Sequence, residues 1–195
     1  MTTLVLLGLV VLAALWAVAA YNALVALKNR AEAAWNQIDV QLKRRHDLVP
    51  NLVETVRGAL EYERNTLEAV VAARQRALDA HTPAASAVAE QGLTQALGRL
   101  FAVVENYPDL KANQNVLQLQ EELTNTENLI AFARQHYNDV VGQYATKRES
   151  FPSNLIANQF GFAPREYFAA PEEEKAVPKV SLTGLGTGPT PPAAP

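Results

Sequence analysis

The chain has 195 residues, enough for one ordinary domain with extensions, and a net charge of −3 from 17 basic and 20 acidic side chains. A balance this even argues against a general nucleic-acid binder, which carries a basic excess, so no nucleic acid is expected as a partner. There is no cysteine, which excludes a disulfide scaffold, a thiolate zinc site, a cysteine nucleophile and an anchor through an acylated cysteine. The first charged side chain is Lys28, and six of the 11 prolines fall in the last 27 residues. These shifts divide the sequence into an apolar head, a long middle and a Pro-rich tail.

The head reads LVLLGLVVLAALWAVAA from Leu4 to Ala20. As a helix it spans roughly 25 Å, and with Tyr21–Leu27 added roughly 36 Å, enough for a tilted membrane crossing. Tyr21 and Asn22 suit the membrane–water interface. The rival reading is a cleaved signal, since Ala17-Val18-Ala19 has the small residues of a cleavage site. No Lys or Arg precedes the apolar run, however, and the pattern flows unbroken into the next helix, which favours a retained single-pass anchor. A buried core helix fits poorly because no face is polar. Lys28, Arg30, Lys43, Arg44 and Arg45 follow the segment and none precedes it, so the positive-inside rule predicts residues 28–195 in the cytoplasm.

Helical periodicity dominates residues 22–149. One stripe runs Leu24, Leu27, Ala31, Trp35, Ile38, Leu42, Arg45, at spacings of three and four. A second runs Leu52, Val56, Ala59, Glu63, Leu67, Val70, Arg74, Ala77, and a third Ala89, Leu93, Ala96, Leu100, Val103. The fourth, Val116, Gln120, Leu123, Glu127, Ile130, Arg134, Tyr137, Val141, Tyr144, carries the seam spacing of a bundle or coiled coil. Pro50 predicts a turn or kink near Asp47–Pro50 and a new helix after it. Thr82-Pro83 predicts a capped helix start. Asn106-Tyr107-Pro108-Asp109 ends the third helix and opens the fourth. Ser150-Phe151-Pro152 ends the fourth, and one more short helix from Ser153 closes near Gly161. Short connections force antiparallel neighbours. The expected fold is all-α: an antiparallel four-helix bundle whose first helix is continuous with an N-terminal transmembrane helix.

From residue 163 onward, Glu172-Glu173-Glu174 and a run of Pro, Gly, Thr and Ala offer little apolar surface against ordering entropy, so a solvated tail is expected. The division is then 1–27 anchor, 28–168 bundle and 169–195 tail. Isolated Gly58, Gly92 and Gly98 read as close-packing points rather than phosphate cradles.

The motifs of chemistry are missing. His46, His81 and His136 lie in no HExxH, and the Glu-x-x-His of a di-iron bundle does not occur. No GxxxxGK[ST], GxGxxG or GxSxG is present. Neither enzyme activity, nor a metal, nor a cofactor is expected. What stands out is charge on the seams: Arg45, Glu63, Arg74, Glu127 and Arg134 occupy stripes that are otherwise apolar. Either they lie at seam margins and reach water, or they form a buried network between helices, which contributes little net stability but can specify register and partner.

Several strings are distinctive: Tyr21-Asn22, Leu27-Lys28-Asn29, Trp35-Asn36-Gln37-Ile38-Asp39 through Arg45, Asp47-Leu48-Val49-Pro50-Asn51-Leu52-Val53, and Tyr107-Pro108-Asp109-Leu110. Further along stand Gln118-Leu119-Gln120-Glu121-Glu122-Leu123, Thr126-Glu127-Asn128, Tyr137-Asn138, Phe151-Pro152 and Phe160-Gly161-Phe162. Over residues 21–168 the chain resembles the LemA family, although Val116 and Ala59 stand where that pattern has aromatic residues. The resemblance implies a bacterial, single-pass protein of the inner membrane with a four-helix bundle, and it implies no known activity and no catalytic residue.

Anchor, bundle, tail and absent chemistry together favour a membrane-tethered interaction module: an adaptor, a scaffold or a self-assembling membrane component. Its expected partners are the lipid bilayer and other membrane proteins or itself. A small-ligand or stress sensor that signals through helix repacking is the alternative.

Overall fold

The computed structural model describes residues 1–169, and the tail expected over 169–195 lies almost wholly outside them. Among the described residues the regular structure is entirely helical: α1 (Thr2–Arg57), α2 (Arg64–Leu78), α3 (Pro83–Val104), α4 (Pro108–Lys111), α5 (Gln114–Glu149) and α6 (Ser153–Gln159). The apolar head and the first bundle helix form one uninterrupted helix, α1, of 56 residues, about 84 Å long.

Burial along α1 shows where the bundle begins. Met1–Ala19 is exposed apart from a half-buried Ala17, whereas Ala20 and Leu24 are buried. Leu24 packs with Tyr144, Ala31–Leu42 with Ile130–Val141, and Val49–Val56 with Val116 and Leu123. The two long helices therefore run antiparallel over their shared length. The 36 residues of α5 reach about 54 Å and cover α1 from its distal end back to about Ala20. What α5 does not cover is the apolar segment, about 27 Å long and apolar enough to cross a membrane by length and composition.

The α2–α3 hairpin completes four helices only over the distal half, where Leu67, Val70 and Ala73 of α2 and Leu93, Leu97 and Leu100 of α3 pack on Val49–Val56. Direction alternates α1, α2, α3, α5, with α4 set into the distal connection. Thr82 caps α3 by accepting from the Ala85 N–H, with Pro83 in the first turn. Asn113 caps α5 by accepting from the Asn115 N–H.

The break expected at Pro50 does not occur. Helix α1 continues through it to Arg57, and the chain turns at residues 58–63 instead. Leu52 and Val56 of the second stripe therefore belong to α1, and α2 begins only at Arg64. An interior proline costs about 3 kcal/mol. Around it Val49, Leu52, Val53 and Val56 are all buried, and each contributes about 1.5–3 kcal/mol, so the packed face outweighs the proline. The acceptor that Pro50 leaves open, the His46 carbonyl, receives the Arg74 Nε–H at 2.7 Å.

Two further expectations are corrected. A Cβ added at Gly58, Gly92 or Gly98 would meet nothing within 4 Å, so these glycines are not close-packing points. Residues 163–168 are not a solvated tail but an extended strap laid back along α5. The composition gives no hint of it, because side chains of α5 hold the strap by its main chain.

Candidate functional site

Arg45 lies on the buried stripe of α1, between the apolar cluster around Ile38 and the one around Leu52. An arginine cannot be left bare there, and two helices, α3 and α5, supply its partners. Its Nη1 meets Glu90 Oε2 at 3.1 Å and its Nη2 donates to Thr94 Oγ1 at 2.8 Å, both on α3. Glu127 Oε2 of α5 approaches the same Nη2 at 3.6 Å. The other Glu90 oxygen bonds His46 Nε2, and Arg74 of α2 ends on the His46 carbonyl. Arg45 is 2% exposed and Glu90 5%, so this pair is truly desolvated, whereas the Glu127 side chain is 50% exposed and sits at the rim. All four long helices thus meet in one polar layer, at the proximal limit of the four-helix half.

The five charged seam residues are not gathered together. Arg45, Arg74 and Glu127 enter the layer. Glu63 sits in the distal turn, where its main-chain carbonyl accepts from Thr66 and Leu67. Arg134 is exposed on α5, with no side-chain ion pair among the described residues. On α5 the burial repeats every seven residues, at Val116, Leu123, Ile130, Tyr137 and Tyr144, while the intervening Gln120, Glu127 and Arg134 face water. Glu90, His46 and Thr94 are the members that sequence reasoning missed. Glu90 was within reach: extending the α3 stripe back from Leu93 by three residues lands on it, whereas a step of four lands on Ala89.

A second polar constellation holds the strap. Tyr137 Oη donates to the Glu166 carbonyl at 2.7 Å, and Tyr144 Oη to the Ala163 carbonyl at 2.7 Å. Asn138 both donates to the Phe168 carbonyl and accepts its N–H, each at 2.9 Å. Arg148 Nε reaches the Phe162 carbonyl at 2.9 Å. Phe168 is buried beside Trp35, which also stacks at a tilt on Tyr137. Burial pushes the phenols of Tyr137 and Tyr144 up from the ordinary tyrosine value, against a smaller opposing pull from Arg165 on the first and from Arg148 and Arg165 on the second. Among the described residues no group of His, Asp or Glu is arranged to hold a metal ion. These arrangements fix helices and chain to one another, and neither places a nucleophile beside a base.

The sequence profile of the LemA family matches residues 34–182. Magnetosome protein MamQ of Magnetospirillum gryphiswaldense is 26% identical over 174 residues, covering 76% of this chain and 64% of that protein. Magnetosome protein MamQ 1 of Paramagnetospirillum magneticum matches at the same identity and coverage. Protein LemA of Metamycoplasma hominis is 25% identical over 155 residues, covering 79% of this chain and 71% of that one. The chain thus spans a little under two thirds of the length of the MamQ relatives. With well over half of the chain matched by its profile, the protein belongs to the LemA family.

Proposed function

We propose that the protein is a membrane-tethered, non-enzymatic interaction module, acting as an adaptor, a scaffold or a self-assembling membrane component. One observation carries this reading. The helix that forms the spine of the bundle continues without a break for 18 uncharged and almost wholly exposed residues beyond it, Thr2–Ala19, so one helix joins the bundle to a segment apolar enough to cross a membrane. The names of the relatives denote no reaction, in keeping with a non-catalytic role. Lys28 and Arg30, directly after the span, favour a cytoplasmic bundle by charge asymmetry; Arg45 does not count towards it, being neutralised in the buried layer.

Membrane extraction tests the tether. The full chain is expected to stay with the membrane through an alkaline wash, and a chain lacking residues 2–19 to be soluble and helical; a full chain released by the wash would contradict the reading. Cross-linking in native membranes then separates the modes. A ladder of self-contacts marks assembly, and a second protein marks an adaptor.

The sensor reading has one observation in its favour. Arg45 Nε and Gln41 Oε1, one helical turn apart, are buried with no hydrogen-bond partner among the described residues, a donor and an acceptor that a small polar ligand would satisfy. Ligand-dependent melting of the bundle would favour it over the adaptor.

A further inference from the structure

We infer that α6 and its flanking aromatic residues form a second, peripheral contact with the lipid bilayer, seating the bundle on the membrane surface; this rests on the tether proposed above. The residues concerned surround the point where α1 leaves the bundle. Phe151 and Trp16 line one groove, with Lys147 at its edge. On the other side Phe160 meets Tyr21 edge-on, ring centroids 5.0 Å apart, and Phe162 meets the same ring at 5.6 Å. This placement is built in. Gly161 ends α6 at φ 67°, and the Phe162 N–H returns to the Ala157 carbonyl at 2.9 Å, a left-handed helix stop that only glycine adopts without strain. Ala157 is buried against Leu24 and Tyr144, and half-buried Ile156 packs on them, which docks α6 by one face and turns the other outward.

That outward face is apolar where a soluble surface would be polar. Phe151 is 79% exposed, Leu155 58% and Phe160 60%. They are continuous with the exposed apolar stretch of α1 through Trp16 and Tyr21. Lys147 on α5 and Lys28 on α1 stand beside them, as in an interfacial segment with aromatic residues at headgroup level and cations facing anionic lipid. The lengths agree: if Trp16–Tyr21 marks the interface, residues 2–19 cover about 27 Å, close to the hydrocarbon thickness of about 30 Å. A second protein could also cover an apolar face, but the contiguity with the span and the flanking Lys28 and Lys147 favour lipid.

The chain has no native cysteine, so single labels are clean reporters. The full chain is reconstituted in phosphatidylcholine vesicles containing a minority of phosphatidylglycerol. An environment-sensitive fluorophore is placed in turn at Leu9→Cys, Leu155→Cys and Tyr62→Cys, the last in the distal turn. Quenchers are carried by lipids at shallow or deep positions. The expected result is deep quenching at 9, shallow quenching at 155 and none at 62. Absence of quenching at 9 would overturn the tether itself. Quenching at 9 with a label at 155 as wet as that at 62 would overturn only the present inference. So would a label at 155 that is dry yet untouched by lipid quenchers, because a protein would then cover the face. Circular dichroism checks that the label leaves the helices intact, and Phe151→Cys carries the same expectation should Leu155→Cys disturb them.

Discussion

Arg74 donates its Nε–H to the carbonyl of His46, the acceptor that Pro50, four residues on, cannot serve. A side chain of α2 therefore supplies the donor that Pro50 removes from the hydrogen-bond ladder of α1, and the helix continues through the proline. Arg74→Ala is expected to cost about 1–3 kcal/mol, the range for stranding a buried acceptor. In a Pro50→Ala background the new amide reaches the same carbonyl, so the cost of Arg74→Ala should shrink. A double-mutant cycle measured by denaturant unfolding reads the coupling. Equal costs in both backgrounds would show that Arg74 acts otherwise.

The polar layer should respond unevenly. Glu90→Ala strands Arg45 in the interior and is expected to cost about 3–5 kcal/mol. Glu127→Ala removes a half-exposed, longer pair and should cost about 1 kcal/mol or less. Arg134→Ala, on the exposed face, should fall within about 0.5 kcal/mol. Melting curves of the three variants rank them, and a loss at Glu127 as large as that at Glu90 would reverse the assignment of the buried partner.

The strap gives a pH signature. Its two phenols are raised by burial, so below about pH 10 both folded and unfolded chains carry them neutral and nothing changes. As pH climbs past about 10 the unfolded phenols ionise first, and stability falls until the folded phenols follow. Stability measured against pH should show this alkaline loss, and it should flatten in a Tyr137→Phe, Tyr144→Phe variant. Ending the chain after Ala169 should leave the melting temperature nearly unchanged. Ending it after Gly161 should lower it, because Phe168 and the strap bonds go with the cut.

Gly98 is exposed in the middle of α3 with nothing near its missing side chain. Gly98→Ala should therefore stabilise by about 0.5–1 kcal/mol through helix propensity alone. Destabilisation, seen in the same melts, would mean that the open space is used.

Much of this architecture is readable from the sequence alone, and the exceptions share a cause. Thr82-Pro83, Pro108, Ser153 and Gly161 mark real ends because caps and turn glycines act over a few residues. Pro50 misleads because its remedy, Arg74, comes from another helix. Glu90 stays hidden because a buried carboxylate breaks the apolar stripe used to find the register of α3. The strap stays hidden because its carbonyls, rather than an apolar pattern, are what Tyr137, Asn138 and Tyr144 hold. In each case the decisive contact is long-range and polar, whereas periodicity reports only local and apolar order.

The proposed tether depends on the continuity of α1 from its apolar segment into the bundle. It is tested most directly by the distance between spin labels at Leu12→Cys and Val40→Cys, both exposed on α1, in the full chain held in lipid nanodiscs. A continuous helix places these positions about 42 Å apart with a narrow distribution. A broad or markedly shorter distribution would mean a hinge between membrane and bundle, and would contradict the rigid tether.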